Sequence, residues 1–573
     1  MKIKHLFGLA VIAAMTASCS SNEDLGTAGP GTGTNETGVG YATFTINLPS
    51  VSGTRAADAG GAEMNEGTAN EYAVKSATAL IFQKYGSDEG SCKFVESVDL
   101  PTAAADWTDD TTVGITTTKK LVAKLTNVDT KNQYYVLVLL NNNKKTGGVK
   151  VALPTVGQSY NEWNSQILTP SVDDLAADND FYMANAPLKG TASPTTLVTI
   201  NKENIYSSKE KAEAGTSAAT VYVERGVAKM SVTDPTTKTV IDKATNNPTK
   251  STVEFNNWAL DITNMKTYAV HNIDDLSTDF PDIWTTPRFI GTNSRVYWGK
   301  DPNYNLDNLN TGKEAEREKE FNFIKATSGI NKTFTESAYC LENTFNLANM
   351  YQGQTTRVIF KATYTPKDDA GNPLAEQDGT FYTIGNMTNI LNEAALKTAV
   401  NTAATSVLPG CTVDYTNLKQ EGSHVITLAD IKDSTGTTLV ADKVYSDKTG
   451  TEIVKEINDK LGLIDGAGHA EAMVGINTYA QGVTYYIARV KHFGSLTPWN
   501  SGESYGTDNG KYLGRYGMLR NNWYDLTVGN VYGPGYPGVP PVDPTQPDDE
   551  NEKYLSVSVK ILSWAKRSDT VDL

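Results

Sequence analysis

Cysteine and histidine are scarce, with four Cys and five His in 573 residues. That leaves little material for a multi-ligand metal site, and the sequence holds no HExxH, no phosphate-cradling glycine loop and no CxxC pair. Long hydrophobic runs are missing too. No apolar window of about 18 residues occurs, which excludes a membrane-spanning helix. Positive charge is in deficit, 50 Lys and Arg against 66 Asp and Glu, for a net charge of −16. Such a surface repels phosphate backbones and anionic headgroups and excludes nucleic-acid binding through a basic patch. What is present suffices for a sizeable core: hydrophobic residues make up 39%, and the length is that of about two to four domains.

The N-terminus carries an address. Met1-Lys-Ile-Lys-His5 is cationic, an apolar run follows from Leu6 to Ala17, and Ser18 and Cys19 close it. This is the order of a secretory signal peptide. Thr16-Ala-Ser-Cys19 resembles a lipobox, in which Cys19 becomes a lipid-modified N-terminus. Thr16 departs from the usual Leu, and an ordinary cleavage site is the alternative. With Cys19 assigned to lipid, Cys92, Cys340 and Cys411 remain. An odd count permits at most one disulfide, and buried free thiols are expected.

Residues 20–40 are Gly, Thr, Ser, Asn and acid, the composition of a tether. Tyr41–Pro49 follows with Ala42, Phe44, Ile46 and Leu48 alternating against polar partners, which predicts a half-buried strand. Polar, Gly-rich sequence containing Arg55 and Ala56 comes next. The body reads as mostly β, with strands expected at 74–83, 119–125, 134–140, 220–227, 228–232, 251–256, 357–364, 424–426 and 482–491. Helical periodicity is confined to Asn386–Ser406 and Glu452–Leu461. Lys202–Gly215 reads as a charged, solvated loop, and a domain boundary is placed near Val221. Residues 533–550 are Pro-rich and read as an extended, semi-rigid arm. Beyond it Leu555, Val557, Val559 and Ile561 alternate with Ser556, Ser558 and Lys560, so a second strand of the same format closes the chain.

Each terminal strand needs a sheet edge to pair with. The bland reading keeps both in their own chain's sheets. The sharper one has cleavage after Arg55 detach the lipid, the tether and Tyr41–Pro49 together, and has a neighbour's Leu555–Ile561 fill the groove by strand addition. Donor and groove lie at different places, so the contact is head-to-tail and grows a filament where it does not close into a ring.

These features carry a family resemblance. The lipobox, Gly53-Thr-Arg-Ala56, Val223-Glu-Arg-Gly-Val-Ala-Lys229 and Arg520-Asn-Asn-Trp-Tyr-Asp-Leu526, in that order, resemble the FimA/Mfa fimbrillin superfamily of Bacteroidales. The resemblance implies a mainly β chain of two transthyretin-like β-sandwich domains with few short helices. The divisions are then a lipoprotein leader (1–19), a tether and pro-strand (20–55), sandwiches at 56–221 and 222–532, a Pro-rich linker (533–550) and a donor-strand tail (551–573). It further implies an outer-membrane lipoprotein precursor matured after Arg55 by an Arg-specific protease and polymerised by strand exchange into a cell-surface fimbria. The partners are identical subunits, accessory anchor and tip subunits, and host or bacterial adhesion targets. Having both the Arg junction and the tail, the chain reads as a shaft subunit. Arg225 and Arg520 are poorer cleavage points, each lying against an expected strand. The alternative is a monomeric, lipid-tethered surface protein binding glycan or protein ligands.

No enzyme chemistry, cofactor or metal site is expected. Gly502-Glu-Ser-Tyr-Gly506 matches the nucleophile-elbow spacing, but Pro498, Asn500 and Ser501 precede Ser504 where a strand is required. Asp301-Pro-Asn-Tyr-Asn-Leu-Asp307 offers oxygens at EF-hand spacing yet has Leu306 where Gly is needed and Gly312 where Glu is needed. An Asx-rich turn or a different calcium loop remains there.

Overall fold

The computed structural model describes residues 33–35, 38–48, 64–65, 67–102, 108–109, 117–129, 131–189, 194–279, 296, 298–306, 309, 313–385, 389–463, 474–493, 512–542, 544–548 and 555–564. Cys19, Pro49, Arg55, Ala56 and Ser504 lie outside the described residues. The chain is mainly β, and two sheets organise it, as expected for paired sandwiches.

The first sheet contains β1 (Gly40–Asn47), β2 (Ala77–Gln83), β3 (Lys93–Leu100), β4 (Thr117–Leu125), β5 (Tyr134–Leu140), β6 (Met183–Asn185) and β7 (Ala219–Arg225). Strand β7 turns the corner between its two halves. Ala219–Tyr222 run parallel to β1, and Val223–Arg225 pair antiparallel with β6. A strand shared in this way folds one continuous ladder into two facing layers. The enclosed core takes Phe44 and Ile46 from β1, Leu80 and Phe82 from β2 and Leu137 and Leu139 from β5.

The second sheet contains β8 (Ala228–Val232), β9 (Thr237–Ile241), β10 (Pro248–Asp261), β11 (Arg357–Thr365), β12 (Val483–Arg489), β13 (Asn522–Val531) and β14 (Leu555–Trp564). Here β9 is the corner, touching β13 through Val240 and Val531 while pairing along β10. A satellite unit is inserted before β12, with α1 (Glu393–Val407) and α2 (Gly450–Leu461) around their own core of Leu396, Val400, Ile453 and Ile457. Asn392 caps the first helix, a Thr449–Glu452 capping box starts the second, and Gly462 ends it at φ +67°, where only glycine is free of strain.

Several expectations change. The first sheet runs past 221 to Arg225, and β8 of the second begins at Ala228. Lys202–Gly215 is not wholly loop: Lys209–Ala214 is a short helix whose Ala212 is buried, and its carbonyl accepts from the Thr43 hydroxyl of β1 at 2.7 Å. The Pro-rich segment is not a free arm. It lies along the second sandwich and returns the chain so that β14 pairs antiparallel with β13. The intramolecular pairing thus uses a long docked strap, where the sequence reads as an extended linker.

Candidate assembly strands and the junction between the sandwiches

Strand β1 is interior to its sheet. All eight residues pair antiparallel with β4, from Gly40↔Leu125 to Asn47↔Thr118. On the other side Phe44–Asn47 pair with Ala219–Tyr222, while Tyr41 and Ala42 pair with Tyr206 and Ile205. Ala42, Phe44 and Ile46 are fully buried, and Leu48 is 2% exposed. Its polar side is held as well: Thr45 shares a hydrogen bond with Ser217 at 2.7 Å, and Asn47 accepts from the Thr118 hydroxyl at 2.9 Å. Burial of the four apolar side chains contributes about 6–12 kcal/mol as an upper bound. Without β1, two ladder edges would face each other across roughly 10 Å, twice the strand spacing.

Strand β14 sits differently. One side pairs with β13 from Asn522↔Ser563 to Val531↔Leu555, with an irregularity between Val528 and Val531. Among the described residues the other side carries Met64 and Asn65, running parallel to Ser563 and Trp564. The positions Leu555, Val557, Val559 and Ile561 therefore lie on a strand near the sheet's outer limit. Detaching it breaks one full ladder, where detaching β1 breaks two. The structure keeps the two terminal strands in separate sheets of one chain.

Between the sandwiches the two charged motifs quoted from the sequence meet. Strands β8 and β13 run parallel, with Lys229 opposite Trp523 and Val232 opposite Leu526. The Lys229 ammonium lies 2.7 Å from Glu71 Oε1 and 3.6 Å from the Trp523 ring centroid. The Tyr339 hydroxyl donates to the same carboxylate at 2.6 Å. Burial pushes the Glu71 carboxyl up, but the Lys229 charge and the hydrogen bonds from Lys229 and Tyr339 outweigh it and hold the acid below its ordinary value. Arg225 donates from Nε to the Glu71 carbonyl at 2.9 Å, and its amide donates to Asn521 Oδ1 at 3.1 Å. Beside them Arg520 pairs with Glu342 at 3.2 Å, and His271 meets Glu224 at 2.8 Å. Arg225 is fully buried and Arg520 is 3% exposed. Neither can lie extended in a protease cleft while the sandwiches are folded.

Residues 477–570, which hold β12, β13, the Pro-rich strap and β14, match the family described as Major fimbrial subunit protein type IV, Fimbrillin, C-terminal. Over this segment the chain is similar to the C-terminal part of the fimbrillins. The match supports a fimbrial structural subunit. No curated protein sequence matches the chain. Among solved structures, it is similar to a candidate cell adhesion protein from Parabacteroides distasonis at 9% identity and TM-score 0.36, covering 91% of this chain and 97% of that one. A fimbrial assembly protein from the same organism is 12% identical with TM-score 0.27, over 61% and 93% of the two chains. The tip fimbrial protein Mfa3 from Porphyromonas gingivalis, with C-terminal truncation, is 12% identical with TM-score 0.28, over 91% and 100%. At these scores the structures are distant, and the fold stands on this chain's own sheets.

The remaining candidates resolve into structure. Cys92, Cys340 and Cys411 are free and buried. Among the described residues no group of three His, Cys, Asp or Glu is placed to hold a metal, and no helix is long and apolar enough to cross a membrane. Asp301 forms an Asx turn: its Oδ1 accepts from the Asn303 amide at 2.6 Å, and its other oxygen accepts from the Thr344 amide and hydroxyl. Burial pushes its carboxyl up to about 7 against the pull of those hydrogen bonds. A carboxyl raised in the folded state binds more protons there than in the unfolded chain. Its contribution is therefore fully present below the ordinary Asp range and is lost as pH rises through about 7. Asp301→Asn removes this titration. The wild type should lose about 2–4 kcal/mol relative to Asp301→Asn between pH 4 and 8, read as the difference in their denaturation midpoints. A constant difference across that range overturns the assignment.

The junction residues were not singled out by sequence as a site, because a charge within a strand-like motif ordinarily reads as a solvated face. Lys229→Met strips the ammonium from a buried Glu71 and should cost about 3–5 kcal/mol, whereas Lys229→Met with Glu71→Leu should recover most of it. Urea denaturation of the single and double variants measures both, and equal losses would show that the charges do not act as a pair.

Proposed function

We propose that this chain is a fimbrillin shaft subunit whose export, activation and polymerisation depend on its two terminal strands. In this reading Cys19 is lipidated and tethers the precursor to the outer membrane. Cleavage after Arg55 by an Arg-specific protease separates the segment containing Ala42, Phe44, Ile46 and Leu48 from the body, which then begins at Ala56. Leu555, Val557, Val559 and Ile561 of the next subunit enter the vacated position. Repeated head-to-tail, the exchange builds a fimbria that joins anchor and tip subunits and supports adhesion to host or bacterial surfaces.

The observation that carries the reading is the asymmetry of the two strands. Strand β1 is hydrogen-bonded on both sides and fully buried, yet it lies N-terminal to the Arg55 stretch. Its loss leaves a groove demanding a strand. Strand β14 has the same alternating format and occupies the less enclosed place in its sheet. Strand addition supplies both the backbone partners and the apolar side chains that the groove lacks. The deciding experiment is the N-terminal residue of the surface polymer. Ala56 is expected; fibres whose subunits begin at lipidated Cys19 would overturn the mechanism.

A further inference from the structure

The strap between β13 and β14 is anchored along its length. The hydroxyls of Tyr486 and Tyr479 donate to the carbonyls of Gly533 and Gly535 at 2.8 and 3.0 Å. Tyr485 and Tyr536 exchange both backbone hydrogen bonds, at 3.0 and 2.8 Å. Arg357, already paired with Asp261 at 2.8 Å, donates to the carbonyls of Pro540 and Pro541 at 2.6 and 3.2 Å. A guanidinium, with five N–H donors and no acceptor, can hold two carbonyls in succession.

The far end is fixed most firmly. Gln352 takes two strap carbonyls, Gln546 through its amide at 2.9 Å and Pro547 through its side chain at 3.1 Å. The Asp548 amide donates to the Met350 carbonyl at 3.2 Å, and the Asp548 carboxylate, fully buried, accepts from the Thr355 hydroxyl. A carboxylate is costly to bury unless its partners are held in place. Undocking this end would leave Thr355 and Gln352 with their partners removed together.

We infer that the strap stays docked on its own subunit during assembly and that only the chain beyond Asp548 is exchanged. This rests on strand donation as proposed above. Only residues 549–554 then separate the anchor from the strand, a reach of about 20 Å. The acceptor groove of the next subunit must open within that distance of Asp548, so the strap sets the subunit spacing. Were the strap to peel away from Gly533 onward, the reach would grow to about 70 Å and the spacing would be unconstrained by it.

A cross-link tests this. Tyr351 and Pro547 face each other as a bridge flanked by the Gln352–Gln546 and Asp548–Met350 hydrogen bonds. Such a pair has Cα atoms about 4.5 Å apart, within disulfide range. Tyr351→Cys with Pro547→Cys, cleaved by an Arg-specific protease, should elongate as fast oxidised as reduced. Loss of fibres on oxidation alone overturns the inference. If that variant does not fold, Tyr485→Cys with Tyr536→Cys locks the strap nearer its start, with the same two outcomes. Deleting residues 550–552 cuts the reach to about 10 Å and should abolish fibres, whereas normal fibres would mean the strap supplies slack. Deletion of 554–573 serves as the control: fibres from it would sink strand donation itself, while a failure confined to the oxidised variant sinks only the docked strap.

Discussion

Arg55→Ala should leave the subunit full length, lipid-tethered through Cys19 and unable to build a fibre, a complete loss of polymer and not a partial one. The size of the effect follows from where β1 sits. An edge strand could be displaced by an invading neighbour while still attached, because one of its sides is free. Strand β1 has partners on both sides along Phe44–Asn47, and its apolar residues are fully buried or nearly so. An incoming strand must therefore wait until β1 can leave. Leaving costs more than any single local fluctuation supplies while the chain continues from β1 into the rest of the same molecule. Surface protein from the variant, examined by electron microscopy and by N-terminal sequencing, should show monomer beginning at Cys19. The other arginines raised by the sequence offer no bypass, since Arg225 and Arg520 are locked into the charged junction. Abundant fibres from Arg55→Ala would mean that β1 is displaced intact or that cleavage occurs elsewhere.

The alternation of apolar and polar residues made both terminal strands readable, because period two reports which side of a strand meets a core. It failed where the ladder is irregular. The strand expected to end at Asn256 continues to Asp261, and the break in register between Phe255 and Asn257 is what interrupts the alternation. Trp258 beyond the break is fully buried. Composition announced that the Pro-rich stretch is extended, but extension says nothing about what lies alongside. Its partners Gln352, Arg357 and Tyr485 come from elements far away in sequence. The junction was illegible for the same reason. Glu71 and Lys229 look like two ordinary surface charges until the fold brings them to 2.7 Å. The single signal available was that two of the motifs carrying the family resemblance, Val223–Lys229 and Arg520–Leu526, place charges inside apolar, strand-forming sequence. A charge that belongs in such a place is one with a distant partner.

The second large effect separates the precursor from the fibre. Phe44→Ala empties a fully buried aromatic site in β1 and should destabilise the uncleaved subunit by about 3–5 kcal/mol. If β1 is absent from the mature polymer, the same substitution should leave the fibre's resistance to heat and denaturant unchanged once fibres have formed. Val559→Asp should do the opposite to assembly: cleavage proceeds, but a charged side chain enters the neighbour's apolar groove without a partner and elongation stops. The two variants together act as a crossed test of which strand occupies the groove. Thermal melts of purified precursor and of isolated fibres compare Phe44→Ala with wild type, and the rate of fibre growth after cleavage compares Val559→Asp with wild type. A fibre weakened by Phe44→Ala as much as the precursor would place β1 inside the polymer. Elongation by Val559→Asp at the wild-type rate would remove β14 from the joint. Only a strand that leaves and a strand that arrives can make the two substitutions matter at different stages of one molecule's life.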